Sequence, residues 1–262
     1  MRICRFSHGE EVSFGVLDNL DDQGEITDGS IIAILTGHPF REPDPDGRVI
    51  AASAVKLLAP ILPSKIIGIG KNYADHAAEM KSELPAEPLM FLKPSTAVIG
   101  PGEVITLPNQ SSMVHHEAEL AVVIGRFCKD VPRDRVSEVI LGFTCANDVS
   151  ARDVQESDGQ WSRAKGFDTF CPLGPWIETD LDPSDLAVTA YVGDDLRQSG
   201  NTKSMIFSAV ELVSFVSHQM TLLPGDVILT GTPAGVGPIV SGDEVEVAIE
   251  GIGSLVNTVQ RA

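Results

Sequence analysis

Apolar and polar positions alternate in several short stretches of the chain, most cleanly where Val245, Val247 and Ile249 interleave with Glu244, Glu246 and Ala248. Successive side chains of an extended strand point to opposite faces, so Asp243 to Ile249 is predicted to be a strand with one wet face. Val12 to Leu17 and Ile31 to Leu35 are short apolar stretches set among acidic and Pro/Gly-rich punctuation. Lys65 to Gly70, Glu119 to Gly125 and Asp226 to Thr230 are apolar runs of strand length. Helical spacing is rarer. Ala209, Leu212, Val213, Val216 and Met220 form one apolar stripe over Ser208 to Met220. Arg133 to Ile140 reads as a second helix, and Asn72 to Met80 as a short one on which Ala74, Ala77 and Ala78 share a face. The segment Pro39 to Gly47 is the clearest loop. Many short strands and few helices, broken by Gly and Pro, predict a mainly β fold with some α rather than a doubly wound one. A small strand-rich N-terminal domain is expected over residues 1–60 and a larger domain over 61–262.

Composition narrows the partners. The 262 residues, 43% hydrophobic and 21% charged, suffice for a sizeable core. Acidic residues number 37 against 19 basic, a formal charge of −18 that repels phosphate backbones and anionic membrane surfaces. Neither nucleic acid nor a membrane is therefore expected as a partner. The same field repels an anionic small molecule, so a site for one must carry its own local positive charge. No apolar run approaches the roughly 18 residues of a membrane span, and the N-terminus leads into polar sequence, so a cytoplasmic location is expected. Cys4, Cys128, Cys145 and Cys171 show no C-x-x-C pairing and are expected to be free thiols.

Candidate chemistry centres on carboxylates. Glu117 and Glu119 stand at i and i+2 where an apolar strand begins, so in extended chain they project from one face. Two carboxylates in one partly buried patch repel, and each loses hydration unless a cation or a proton intervenes. The alternative is a solvent-facing edge with two hydrated glutamates. Asp148, after another apolar stretch, can complete a three-carboxylate set. An oxygen-only shell suits Mg²⁺, then Mn²⁺, with Ca²⁺ as a third choice, rather than Zn²⁺. His115 and His116 are adjacent and face opposite ways in extended chain, so at most one can join the carboxylate face. The glycine-rich Thr230 to Gly237 loop lacks the spacing of a phosphate-binding loop, and Gly68-x-Gly70 is too short a pattern for a dinucleotide site.

Five motifs carry a resemblance when taken in order: Gly70-Lys71-Asn72-Tyr73-Ala74-Asp75-His76, Phe91-Leu92-Lys93-Pro94-Ser95, His116-Glu117-Ala118-Glu119, Asn147 to Asp153, and Thr230 to Gly237. Over about Lys65 to Val259 the chain resembles the fumarylacetoacetate hydrolase superfamily. The resemblance implies a mixed β-sandwich roll, Mg²⁺ or Mn²⁺ at Glu117, Glu119 and Asp148, and a homodimer. It also implies roles for single residues. His76, oriented by Glu79, would activate water or shuttle a proton from a lid, and Lys165 would neutralise developing oxyanion charge. Arg152 and Gln155 match positions that bind polar groups of the substrate, although Arg152 could instead pair with Asp153 or Glu156. Lys93 and Thr232 join the substrate-binding set, Lys93 by supporting the carboxylates or by shaping its Lys-Pro turn, and Thr232 by closing the pocket.

Members of the superfamily act on acids whose 2-oxo carboxylate can chelate a metal, which then acts as a Lewis acid. The first expectation is a metal-dependent hydrolase or decarboxylase that cleaves a carbon–carbon bond of a small 2-oxo or 2,4-dioxo acid, through oxaloacetate decarboxylation or acylpyruvate or fumarylpyruvate hydrolysis. The alternatives are an isomerase of a hydroxylated diene-dioate and a non-catalytic dimer that binds metal or ligand only. The distal end of the substrate would be read by the loops Lys81 to Pro88 and Ser157 to Trp161.

Overall fold

The computed structural model describes residues 1–21, 24–41, 44–79 and 83–262. Glu42 and Pro43 of the expected loop, Met80 at the end of the expected short helix, and Lys81 and Ser82 of the expected specificity loop lie outside the described residues. Among the described residues strands dominate and fall into three sheets. The largest has twelve of these strands, and from Arg2–His8 to its far edge it runs Arg2–His8, Cys171–Glu178, Ile140–Asn147, Ala118–Ile124, Val227–Leu229, Ile66–Gly70 and Leu89–Lys93. A five-stranded sheet follows the order Asp195–Asn201, Ala187–Val192, Glu244–Ile249, Gly253–Arg261 and Val104–Leu107.

The strand Ala118–Ile124 explains why this sheet sits at the heart of the molecule. All seven of its residues are buried, which a strand with one wet face cannot do. Ala118, Leu120, Val122 and Ile124 enter one core with Val188, Ala190, Val247 and Leu255 of the five-stranded sheet. Ala121 and Val123 enter a second core with Ile3, Ile66 and Leu229. A strand sandwiched on both faces needs a continuous apolar run, and that is what Leu120 to Ile124 supplies. In the partner sheet Val245, Val247 and Ile249 are buried while Glu244 is exposed, the one-sided pattern of a strand that packs inward only.

The N-terminal strands are hydrogen-bonded into the large sheet. Arg2–His8 runs antiparallel to Cys171–Glu178, with Arg2 opposite Glu178 and Ile3 opposite Ile177, and the terminal ammonium lies 2.6 Å from Glu178. Two local predictions change. Pro45, Asp46 and Gly47, expected in a loop, open the outermost strand Pro45–Ala51, where a proline costs no ladder bond on the free side. Arg133–Glu138 is a 3-10 helix rather than an α-helix, because it buries only Val136 and because Ile140 is recruited into the sheet opposite Ile124. All four cysteines are free and buried, and no helix among the described residues is long and apolar enough to cross a membrane.

The helix Ala209–Gln219 buries Leu212, Val213 and Val216 and starts with a capping box. Ser208 Oγ accepts from the Glu211 amide at 3.3 Å, and the Ser208 amide donates to the Glu211 carboxylate at 2.9 Å. Ser208→Ala removes one half of this exchange. It is expected to lower stability by about 1 kcal/mol, seen as a lower urea midpoint at unchanged m-value. An unchanged midpoint would show that tertiary packing alone holds this helix start.

Candidate metal centre and active site

The carboxylate site forms where one hairpin of the large sheet changes partners. Ala118 lies opposite Asn147 in that sheet, and His115 lies opposite Ser150 in a small three-stranded sheet. Glu117 and Asp148 occupy the gap between the two ladders. The Asp148 amide donates to the Glu117 carbonyl at 2.9 Å, and the Glu117 amide donates to Asn147 Oδ1 at 3.0 Å. The hairpin thus sets Glu117 and Asp148 face to face, while strand alternation puts Glu119 on the same side as Glu117. One oxygen from each of Glu117, Glu119 and Asp148 lies within 4.8 Å of the others, and all three residues are buried.

Three buried cations surround them. Lys165, on the short helix Ser162–Lys165, donates to Glu117 Oε2 at 2.9 Å, Asp148 Oδ2 at 2.5 Å and Ser150 Oγ at 2.8 Å, which uses all three of its protons. Burial pulls the Lys165 pKa down, but Asp148 and Glu117 outweigh it and hold the ammonium above its ordinary range. Arg152, at the start of the helix Arg152–Asp158, pairs with Glu117 through Nη2 and donates from Nη1 to Gln155 at 2.9 Å. Its alternative partner Asp153 is instead held by Ser111 and Ser112. Lys93 is fully buried and bonds Asp148 and the Phe170 carbonyl. It is bonded to the carboxylate cluster, the first of the two roles its sequence offered, and is not among the described residues that line the pocket, so direct contact with a substrate is not its place.

The two glutamates part company in this field. Burial raises the Glu117 pKa, yet Lys165 and Arg152 together drive it well below the usual carboxylate range. Among the described residues no cation is bonded to Glu119. Burial, then Asp148 and Glu117, push it well above its ordinary value, and its one hydrogen bond among the described residues comes from the Gly231 amide at 2.6 Å. A buried carboxylate set built only from oxygen donors, with a Glu119 corner that costs much to ionise without a positive charge beside it, fits a hard divalent cation such as Mg²⁺ or Mn²⁺.

The pocket above the carboxylates has a narrow interior of about 50 Å³, and His76, Arg152, Gln155, Lys165 and Thr232 reach it. His76 is buried on the helix Ala74–Glu79, with Nδ1 3.2 Å from Glu79 Oε2. Glu79 also accepts from the Gly235 amide at 3.2 Å, which draws this helix onto the Thr230 to Gly237 loop. Asn72 tightens the same closure, donating to the Thr230 carbonyl at 2.7 Å and the Phe207 carbonyl at 2.9 Å. The neighbouring histidines stay out of the ligand set. His116 is fully buried against Gln198, and burial followed by Arg152 pushes half-buried His115 down to about 4.

Gln198 is a residue that the sequence did not single out. It comes from the five-stranded sheet and is fully buried. Its Oε1 accepts from the Ala118 amide at 2.9 Å, and its Nε2 donates to Thr232 Oγ1 at 2.7 Å and to the Pro233 carbonyl at 2.8 Å. Thr232 in turn donates to the Ala118 carbonyl at 2.8 Å. One glutamine therefore ties the metal-site strand to the pocket loop. Nothing in the strand Asp195–Asn201 marks it, since its bonds all go to distant chain.

The fold and the site define a β-rich enzyme scaffold around a buried acidic cluster able to hold a divalent metal. The chain belongs to the fumarylacetoacetate hydrolase family: the profile of the fumarylacetoacetate (FAA) hydrolase C-terminal region matches residues 65–260, and an Rv2993c-like N-terminal profile matches residues 1–60. The crystal structure of a 5-carboxymethyl-2-hydroxymuconate delta-isomerase from Mycobacterium smegmatis is 51% identical, with a TM-score of 0.92 and both chains fully covered. A mitochondrial oxaloacetate tautomerase of Rattus norvegicus, Fahd2a, is 44% identical over 80% of this chain and 71% of its own length. A maleylpyruvate hydrolase from Sphingobium sp. SYK-6, solved with manganese(II) and pyruvate, is 33% identical at a TM-score of 0.79, again with full coverage of both chains.

Two outcomes are expected from this geometry. Calorimetric titration with Mn²⁺ should show one site per chain, weakened at least about 100-fold by Glu119→Ala, since a direct ligand should matter no less than the outer partners whose loss costs 10–100-fold. Equal affinity in both proteins would remove Glu119 from the ligand set. Gln198→Leu should cost on the order of 3 kcal/mol in urea unfolding, because it strands several buried partners at once. A near-neutral result would mean that the sheet and loop hold together without it.

Proposed function

We propose that this protein is a divalent-metal-dependent enzyme that makes and breaks the enol of a small, doubly negative 2-oxo acid, with oxaloacetate the first substrate to test. One observation carries the reading. Three buried carboxylates, Glu117, Glu119 and Asp148, are matched by three buried cations, Lys93, Arg152 and Lys165. With all six ionised the cluster is neutral, so a divalent ion leaves two positive charges, the complement of a 2-oxo dicarboxylate. This local charge answers the repulsion from a chain of formal charge −18. The tautomerase and hydrolase relatives, named for the 2-oxo dicarboxylates oxaloacetate and maleylpyruvate, support it, as does the isomerase relative, named for a 2-hydroxymuconate, an enol-form acid with one carboxylate more.

When bound, the ion would serve as a Lewis acid toward the 2-oxo carboxylate. The protein's own groups do the rest. Arg152 and Gln155, already bonded to each other at the pocket wall, orient the far carboxylate. Lys165 presents a fixed positive charge where enolate charge develops. His76, held by Glu79, moves the proton at the carbon beside the keto group. The closed helix and loop limit water around that carbon.

Carbon–carbon bond cleavage is the second reading, favoured by the same His76–Glu79 pair, which can activate water once an enolate leaving group is available. Oxaloacetate tautomer exchange, followed by the ultraviolet absorbance of the enol, and pyruvate release from oxaloacetate and from acylpyruvates separate the two. Glu119→Ala should abolish every activity. His76→Ala should lower tautomer exchange and acylpyruvate hydrolysis by about 10²–10⁴-fold, while part of any oxaloacetate decarboxylation survives. Full turnover by Glu119→Ala with Mg²⁺ present would sink the metal mechanism, and equal loss of all activities in His76→Ala would refute this division of labour.

A further inference from the structure

Among the described residues, the pocket above the carboxylates and a wider surface groove have one lining residue in common, Trp161. The pocket interior is about 50 Å³, room for a head group rather than a long chain. The groove is about 360 Å³, and Leu89, Met90 and Phe91 give it an apolar wall. Trp161 thus belongs to the wall of both spaces.

Its position is tightly specified. A Cβ at Gly70 would fall 2.3 Å from Trp161 Cζ3, so the ring lies against backbone that only glycine leaves bare. Phe91 meets it edge-on, with centroids 5.4 Å apart, and the Lys165 ammonium lies 5.9 Å from its centroid. Trp161 also occupies the turn between the helix that carries Arg152 and Gln155 and the helix that carries Lys165. Whatever fixes the indole therefore fixes the boundary of the same pocket that those residues line.

We propose that Trp161 is a specificity-determining partition, which ends the substrate pocket after a short 2-oxo acid and shuts off the apolar groove. Replacing it by a small residue joins the two spaces into one channel that accepts a 2-oxo acid with a longer apolar tail. The inference rests on the reading of the site as one for 2-oxo acids. Each methylene moved from water onto an apolar wall is worth about a fourfold gain in affinity, so the length profile is a sensitive measure.

Straight-chain 2-oxo acids from pyruvate to 2-oxooctanoate are titrated calorimetrically into the Mn²⁺-loaded wild type, Trp161→Phe and Trp161→Ala, and acylpyruvates of matching length are assayed for turnover. The wild type should lose affinity beyond the first few carbons, and Trp161→Phe should keep that profile. Trp161→Ala should shift the ratio of 2-oxooctanoate to pyruvate affinity upward by about tenfold or more, with Trp161→Leu between them as a milder replacement. Parallel length profiles in wild type and Trp161→Ala overturn the partition. The binding series needs no turnover: a shifted profile without conversion of any acid supports the partition and counts against the proposed reaction alone. If the wild type binds none of the series the partition is refuted, and if it also fails to bind oxaloacetate, the doubly negative acid of the proposed function, that reading is refuted with it.

Discussion

Six ionisable side chains of opposite sign are withdrawn from water in one place, and the active region depends on their balance. A single buried charge costs several kcal/mol, and removing one member of a buried pair leaves its partner uncompensated. Asp148 is gripped by Lys93 from behind and by Lys165 from the side, and Glu117 is shared between Lys165 and Arg152. Among the described residues Glu119 receives only a backbone amide, so the electrostatic shortfall collects at one corner. That asymmetry makes this corner the one able to take a cation while the rest of the cluster stays satisfied.

The scaffold exists to deliver these charges to one point without letting water in. Alternation along Ala118–Ile124 sends side chains into two separate cores, and the hairpin with Ile140–Asn147 continues past the sheet so that Glu117 and Asp148 meet beyond its edge. The five-stranded sheet contributes Gln198, which bonds both the Ala118 amide and the Thr232 hydroxyl. Sheet packing and site geometry are thereby joined through hydrogen bonds as well as through apolar contact. The short helix with His76 and Glu79 is anchored differently, by Asn72 and by the Gly235 amide, on the far side of the same loop.

Much of this was legible in the chain itself. The continuous apolar run of Leu120 to Ile124 and the alternation of Glu244 to Ile249 report burial on two faces and on one, because the strand period writes environment directly into residue order. Glu117 and Glu119 fall on one face for the same reason, the ordered motifs pointed to the family, and the family resemblance pointed to Lys165. Where local order was ambiguous, tertiary context prevailed: Arg133–Glu138 forms a 3-10 turn and Pro45–Ala51 an outer strand.

The sequence by itself determined the β-rich class, the central buried strand and the common face of Glu117 and Glu119, since each rests on spacing within a few residues. Only the tertiary structure decided that Lys93 lies behind the carboxylates, that Arg152 pairs with Glu117 rather than Asp153, that Gln198 links sheet to loop, and that Trp161 packs on Gly70 and lines two cavities. Each of these contacts joins residues dozens of positions apart. Their partners are chosen by the packing of whole sheets and helices, which no local period records.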